Sequence, residues 1–412
     1  MKKALNNKIP LSVKLLTVVT AFFCVIKTVN AYLTAGAEDD SGGGLMALLY
    51  AVTVVTAFGG GILLKKNIFT YLSSTAIFIV IWLLCFYVFT IAIVGGVPYT
   101  SFVFFIVFTI AAFLMPSFVI VDARLFLKAM MTFSIPALFK LNEIFIMPNL
   151  FSNTISMGIS YAFLTPVLVT IVYLSIYFKD ESFFQKCITI VLAAVNAVFS
   201  VFLIMYGSRG PVLAIVATVA FLFIVKPKNE GSGVRIIKKN FTVAFVVTVV
   251  AAIAFVTLLS VFQKKLLSYG LSINFIDKFL RLNDDNDMTN GRSELYEMAI
   301  KDFFESPFWG NGFDLFSYIH SGVDVNYPHN FILQILTDGG LILLFVLGIP
   351  LMRGIIRKFK NCSRNEYAVF AALMLGSVPG ALFTGDLWRN ITLWIFFGMV
   401  VSKNFVWSGR SR

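Results

Sequence analysis

Long apolar stretches separated by short polar segments run through almost the whole chain. A membrane-spanning helix needs about 20 apolar residues, because the hydrocarbon core of a bilayer is about 30 Å thick. The stretches are too continuous for the alternating pattern of a β-barrel, so they predict helices. Twelve spans are predicted, at residues 11–33, 45–64, 68–94, 100–121, 125–140, 157–178, 187–206, 210–226, 241–262, 331–352, 367–385 and 390–406. The fifth is the weakest, because it is short and contains Lys128.

The composition supports this prediction and explains the charge. The 412 residues are 58% hydrophobic and only 13% charged, whereas a soluble domain has about 25% charged residues. With both termini in the cytoplasm, most Lys and Arg residues fall on the cytoplasmic side and most acidic residues fall outside. The orientation of the protein in the membrane therefore explains the net charge of +12, and no nucleic-acid partner is expected. The basic loops 226–239 and 353–364 are interpreted as topology determinants and contacts with anionic lipids.

A long polar segment, residues 263–330, interrupts the pattern on the outer side. It divides the chain into a membrane domain at 1–262, an outer subdomain at 263–330 and a second membrane part at 331–412. Residues 293–304 predict a helix that Ser293 caps, with one apolar face. Pro307 ends this helix, and FWGNGF (308–313) predicts a tight, packed turn.

Two arginines on the outer side are candidates for binding an anion. Arg209, in YGSRGP, lies in a short turn between two spans, where it either binds a ligand or anchors the helices at the head groups. Arg292 precedes the predicted outer helix, where the helix dipole favours an anion, although a loop charge paired with Asp287 or Glu294 is the alternative. Two fixed arginines suit bidentate binding of a diphosphate.

His329 is the candidate general base. It follows Pro328 where the chain re-enters the membrane, and a histidine is suited to accept a proton from a hydroxyl near neutral pH. The alternative is an interfacial histidine that caps the tenth span together with Asn330. His320 is interpreted as a surface residue.

Other acidic residues have less definite interpretations. Asp338, near the outer end of the tenth span, either orients His329 or lines a cavity, or else bonds to the glycine pair that follows it. Asp386 and Arg389 are expected to form a local ion pair. The acidic run 283–287 lacks the spacing of a calcium loop and is interpreted as a solvated turn. Neither a metal nor a cofactor is predicted, and the four cysteines predict no disulfide framework.

Three motifs, in order, resemble the O-antigen ligase and polymerase superfamily: GSRGP between two spans, GRSELYEMAIKDFFESPFWGNGF in the outer loop, and YPHNFILQILTDGG entering the next span. The resemblance covers about residues 187–352. It implies an all-α, GT-C-like membrane fold and a metal-independent, inverting glycosyltransferase at the outer face of the bacterial inner membrane. It implies that Arg209 and Arg292 hold the diphosphate of an undecaprenyl-diphosphate-linked glycan and that His329 lies near the acceptor hydroxyl. Asn330 and Asp338 join them as substrate-binding candidates.

The polymerases and ligases of this superfamily differ in the acceptor to which they transfer the glycan. Leu343 stands where the ligase pattern has Gly, Thr or Tyr, and FWGNGF followed by YPHN is closer to polymerases. The sequence is therefore interpreted as an O-antigen or capsule repeat-unit polymerase, with a chain-length regulator as a possible partner. A ligase acting on lipid A–core, a protein O-glycosylating transferase and a lipid-linked glycan flippase or transporter are the alternatives.

Overall fold

The computed structural model describes residues 9–33, 42–64, 72–94, 102–103, 105–141, 143–144, 157–206, 209–228, 232–237, 243, 292–320, 327–383 and 385–407. Most of these residues are helical. The helices are α1 (Leu11–Cys24), α2 (Ile26–Leu33), α3 (Gly42–Leu64), α4 (Ser74–Val94), α5 (Ala112–Phe118), α6 (Ala123–Thr132), α7 (Met157–Tyr177), α8 (Phe183–Tyr206), α9 (Arg209–Ile224), α10 (Arg292–Glu305), α11 (Phe316–Ile319), α12 (Phe331–Asn361), α13 (Arg364–Phe383) and α14 (Ile391–Val401). The strands are β1 (Val225–Pro227) and β2 (Val234–Ile236).

Several of these helices are suited to cross a membrane. Five are long and apolar enough, namely α4, α7, α8, α12 and α13, and α1 and α2 together make a sixth span bent by 64°. Shorter apolar helices lie within four further predicted spans. The protein is thus a multi-pass α-helical membrane protein, whereas the count of twelve spans stays a prediction. The predicted span 241–262, apart from Val243, lies outside the described residues, as do residues 263–291 and 321–326 of the outer loop.

The fifth predicted span, 125–140, differs from the expectation. Asp122 caps α6 by accepting a hydrogen bond from the Leu125 N–H at 2.9 Å. The α-helix ends at Thr132 after ten residues, and a 3₁₀ helix, Ile135–Lys140, follows it. Because a span needs about 20 residues, α6 is too short to cross the bilayer alone. Lys128 binds Glu181 at 2.5 Å, which gives the lysine in this segment an ionic partner.

α14 lies at the centre of the helix packing. All eleven of its residues are buried, as expected of a helix that is apolar around its whole circumference. A Cβ atom on Gly398 would lie 1.9 Å from the carbonyl oxygen of Phe113, so glycine allows α14 to approach α5 closely. Large exposed apolar side chains are found instead on α3, α4 and α8, for example Val55, Val88 and Val191. Those helices therefore present the surface that suits lipid contact.

The first of the two basic loops forms a small antiparallel hairpin, which the all-helical expectation did not include. In β1 and β2, Val225 pairs with Ile236 and Pro227 with Val234. The hydroxyl of buried Tyr367, on α13, donates a hydrogen bond to the Val225 carbonyl at 2.5 Å. This contact fixes the hairpin to the end of the helix bundle.

The outer region contains α10, which confirms the helix predicted at 293–304. The helix begins one residue earlier, so Arg292 is its first residue. Leu295 and Ala299 are buried against Phe316 of α11, and Leu333 of α12 packs against the same cluster. α10 is therefore fixed on the outer end of α12.

Candidate active site

A cavity of about 290 Å³ lies where five segments of the chain meet. Its walls come from the bend between α1 and α2, from α7 and α13, from the segment 327–330 before α12, and from the turn 385–390 before α14. Lys27, His329, Asp386 and Arg389 are among the side chains that line it. A small number of polar groups converging on a cavity is typical of a binding or active site.

The bend between α1 and α2 shapes one wall. Two threonine hydrogen bonds tie it to neighbouring helices: the Thr392 hydroxyl of α14 donates to the Cys24 carbonyl at 2.9 Å, and the Thr28 hydroxyl of α2 donates to the Ala162 carbonyl of α7 at 2.6 Å. A break in a spanning helix frees backbone groups, and these must find partners inside the protein. The bend is therefore a fixed feature that places the start of α2 at the cavity.

Lys27 projects from the first turn of α2 into this space. Its side chain is exposed and lines the cavity, within electrostatic range of both Asp386 and Arg389. Ionisable side chains inside a membrane domain are costly and usually mark a functional site. The sequence pattern shows Lys27 as an embedded cation but does not show what it faces.

The segment 327–330 positions His329. Asn330 caps α12, because its Oδ1 atom accepts hydrogen bonds from the Ile332 and Leu333 N–H groups at 2.9 and 3.2 Å. His329 adopts φ 54°, in the left-handed region that residues other than glycine rarely occupy. Its ring packs edge-to-face on Tyr327, with 4.6 Å between centroids, and both side chains line the cavity. Such a backbone conformation at a cavity is typical of functional sites.

Asp386 and Arg389 form the expected local ion pair, at 3.4 Å, and the structure extends it. The Nη2 atom of Arg389 also binds Asp314, from the outer region, at 3.1 Å. Gln334 of α12 donates to Asp386 Oδ1 at 2.9 Å and accepts a hydrogen bond from the Leu387 N–H at 2.7 Å. This network links α12, the outer region and the turn before α14, so it holds the cavity wall in place.

The turn after α10 inserts into a break in α12. Gly340 has φ 59° and ψ −157°, which interrupts the helix. The predicted turn 308–313 supplies partners for the interrupted backbone. Four hydrogen bonds join the two segments: the N–H groups of Asn311 and Gly312 donate to the carbonyls of Thr337 and Asp338, both at 2.8 Å, and the N–H groups of Leu341 and Ile342 donate to the carbonyls of Pro307 and Phe308, at 2.9 and 3.2 Å.

Replacing Gly340 with alanine is expected to destabilise this junction. A Cβ atom at Gly340 would lie 2.5 Å from the Phe308 carbonyl, and its φ and ψ angles are accessible essentially to glycine alone. The strain alone costs about 1–3 kcal/mol. Thermal unfolding in detergent measures the effect, and Gly348→Ala on the same helix, where an added Cβ meets nothing within 4 Å, is the control. Equal stability of the two variants would contradict the role of the break.

Arg292 is electrostatically coupled to the cavity through Tyr327. Burial raises the pKa of Tyr327 to about 12; Asp386 acts in the same direction, and the positive charges of Arg389 and Arg292 act against it. The first residue of α10 therefore lies within electrostatic range of a side chain that contacts His329.

The backbone of Arg209 begins α9, beside the same cavity. A Cβ atom at the next residue, Gly210, would lie 1.8 Å from the hydroxyl oxygen of Tyr161, which lines the cavity. Glycine therefore lets the start of α9 touch the cavity wall. This contact places the start of α9 at the wall of the cavity that His329 and Lys27 line.

Two other predicted residues have different surroundings from those expected. Asp338 is buried, and its Oδ2 atom accepts a hydrogen bond from the Trp388 indole N–H at 2.6 Å; it is absent from the cavity lining. This hydrogen bond links α12 to the turn before α14, and the binding role of Asp338 stays a prediction. His320 is not a simple surface residue, because it is half-buried and its Nε2 atom lies 2.8 Å from Oδ2 of buried Asp302.

The comparison with known families bears on the region that contains these motifs. Residues 190–348 match the family model of the O-antigen ligases. This match confirms the resemblance to the O-antigen ligase and polymerase superfamily, and the matched region includes Arg209, Arg292, His329, Asn330 and Asp338. No curated protein matches the chain. The O-antigen ligase match thus supports a membrane enzyme with ligase- or polymerase-like function in surface glycan biosynthesis.

The O-antigen ligase match begins after Lys27 and ends before Asp386 and Arg389, which the structure adds to the cavity. Sequence reasoning did not assign these residues, or Tyr327, to the site. A lysine within an apolar span was the available signal for Lys27. The three-residue spacing of Asp386 and Arg389 predicted their ion pair. It did not predict that the pair lies at the same cavity as α2 and His329.

Proposed function

We propose that the protein is a metal-independent, inverting glycosyltransferase that joins undecaprenyl-diphosphate-linked oligosaccharide repeat units at the periplasmic face of the bacterial inner membrane. The observation that carries this proposal is the cavity that His329 and Lys27 both line. The start of α9 touches its wall at Tyr161, and Arg292 of α10 lies within electrostatic range of Tyr327. A base and several cations around one cavity suit the transfer of a glycan from a diphosphate leaving group.

The cations are assigned to the leaving group. As the bond between the anomeric carbon and the phosphate oxygen breaks, negative charge grows on the diphosphate, and fixed positive groups stabilise that charge. Lys27 lines the cavity, Arg209 begins α9, which touches the cavity wall, and Arg292 begins α10, within electrostatic range of Tyr327. Arg389 is already bound to Asp386 and Asp314, so we assign it to positioning the wall.

His329 is assigned to the acceptor. In the proposed step, the acceptor hydroxyl oxygen forms a bond to the anomeric carbon while His329 takes the hydroxyl proton, and undecaprenyl diphosphate leaves from the opposite face. Attack opposite the leaving group inverts the configuration of that carbon. The left-handed backbone of His329 and the Asn330 cap hold the imidazole at the cavity, which favours this role.

The position of the cavity suits a lipid-linked donor. It lies at the outer ends of α12 and α13 by the orientation that the charge distribution predicts. A polyprenyl tail can remain in the bilayer while its diphosphate reacts at the boundary. The lipid tail therefore does not have to leave the bilayer for the transfer to occur.

Replacing Arg292 with lysine is expected to lower the transfer rate by about 10- to 100-fold. The charge is kept, but the planar fork that binds two phosphate oxygens is lost. Turnover of purified variants with a lipid-linked repeat unit measures the effect. The matched control is Arg353→Lys, which changes an arginine near the end of α12 that is remote from the candidate active site. Near-normal turnover of the Arg292 variant would identify it as a generic surface charge.

A ligase that transfers glycan to lipid A–core is the second candidate, and the description of the matched family favours it. The glycan that accumulates in a deletion strain separates the two. Single repeat units on lipid A–core indicate that a polymerase was lost, whereas bare core with polymer left on the lipid carrier indicates a lost ligase. Complementation with wild-type protein, but not with His329→Ala, is expected to restore the missing product.

A flippase is the third candidate, because broken helices with an embedded charge, such as the α1–α2 bend with Lys27, also occur in transporters. It makes no new glycosidic bond, so product analysis distinguishes it from either enzyme. We further propose a chain-length regulator as a partner of the polymerase.

A further inference from the structure

A second cavity, of about 640 Å³, lies at the opposite end of the helix bundle. On α7, Tyr161 lines the candidate active site and Ile176 lines this second cavity, about 22 Å further along the helix. α13 shows a similar separation, about 20 Å, between Ser377 and Arg364. The predicted orientation places the second cavity at the cytoplasmic surface, far from the glycosyl-transfer site.

The side chains around this cavity are strongly basic. Among the residues that the structure describes, five cationic residues line it, and the one acidic residue there, Asp180, is bound to Arg364 at 2.5 Å. The excess of positive charge is therefore concentrated in a concave space. The five are Lys179, Lys226, Lys228, Arg235 and Arg364.

The β1–β2 hairpin places two of these cations directly opposite each other. Lys226 and Arg235 are cross-strand partners, so their side chains leave the same face of the hairpin, and like charges in this arrangement are destabilising. Both are exposed and line the cavity. Contacts outside the strands keep the hairpin in place, because Gly233 donates to the Cys362 carbonyl at 2.7 Å and Tyr367 bonds to Val225. Positive charge is thus held together by the fold.

We propose that this cavity binds a phosphate-bearing anion. An anion between Lys226 and Arg235 would replace their repulsion with two charge-assisted hydrogen bonds, and the remaining cations would bind further phosphate oxygens. The volume admits a group with more than one phosphate. Two sources supply this chemistry: the head group of an anionic phospholipid, or a soluble polyphosphate from the cytoplasm. This proposal is independent of the glycosyltransferase assignment.

Thermal unfolding of the full chain in phosphatidylcholine nanodiscs, titrated with inorganic pyrophosphate, tests the site. A saturable rise in Tm is expected for the wild type. Replacing Lys226 and Arg235 together with glutamine is expected to weaken pyrophosphate binding by about tenfold or more. Without the anion, the same variant is expected to unfold at an equal or higher temperature, because the repulsion is gone, so a folding defect is recognisable. The matched control replaces Lys360 and Lys403, two exposed lysines outside the cavity, with glutamine.

Nanodiscs that contain cardiolipin separate the two sources. If the lipid head group occupies the site, cardiolipin raises Tm by itself and reduces the further effect of pyrophosphate in the wild type but not in the double variant. If the ligand is soluble, pyrophosphate acts equally in both nanodiscs. No saturable shift in either, or an equal loss in the control variant, would overturn the proposal.

Discussion

Replacing His329 with alanine is expected to slow glycan transfer by about 100- to 10,000-fold, the range that a lost general base gives, while donor binding is retained. The imidazole faces the cavity beside Tyr327, whereas the cations that we assign to the diphosphate lie on other helices. Single-turnover transfer and binding of undecaprenyl diphosphate, measured on the same purified variant, report the two effects separately.

The left-handed backbone of His329 calls for a second variant. Alanine at φ 54° is strained, whereas asparagine tolerates this conformation better and also lacks a basic group at neutral pH. His329→Asn with wild-type Tm and the same loss of transfer separates chemistry from folding. Unchanged turnover in either variant would remove His329 from the mechanism.

The second large effect is expected at Lys27. Replacing it with methionine keeps an unbranched side chain that is one atom shorter but removes the charge that lines the cavity. Because the charge is assigned to the leaving diphosphate, we expect a loss of about 100- to 1,000-fold in the rate of transfer. Steady-state turnover with a lipid-linked repeat unit measures it, and binding of undecaprenyl diphosphate is also expected to weaken.

Lys14 offers a matched control for this change. It is an exposed lysine in the first turn of α1, at the other end of the same bent helix pair. Lys14→Met is expected to leave turnover unchanged. Equal losses in the two variants would indicate a general effect of removing positive charge from this helix pair, and would contradict the assignment of Lys27.

The membrane character and the outer helix could be predicted from the sequence, because both depend on local patterns. Apolar runs identified α4, α7, α8, α12 and α13, and the apolar face of residues 293–304 identified α10. The short length of α6 was less predictable, because the apolar pattern of residues 125–140 does not show where the α-helix ends. The break at Gly340 depends on a partner, the turn 308–313, that the helix pattern alone does not reveal.

The candidate site was predictable only in part. His329, Arg292 and Arg209 follow from local motifs, and their roles stay predictions. Lys27 and Asp386 are more than 350 residues apart in sequence, so their meeting at one cavity depends on packing between the first and last helices. For Asp338, the sequence left several roles open, and its buried partner Trp388, 50 residues further along the chain, was not among them.

The most direct measurement of the central claim is transfer by the purified wild-type chain in liposomes that contain one lipid-diphosphate-linked repeat unit, with EDTA and without ATP. A ladder of lengthening glycans, with one undecaprenyl diphosphate released for each bond formed, is the result expected from the proposed polymerase. Translocation of repeat units without any new glycosidic bond would contradict the account.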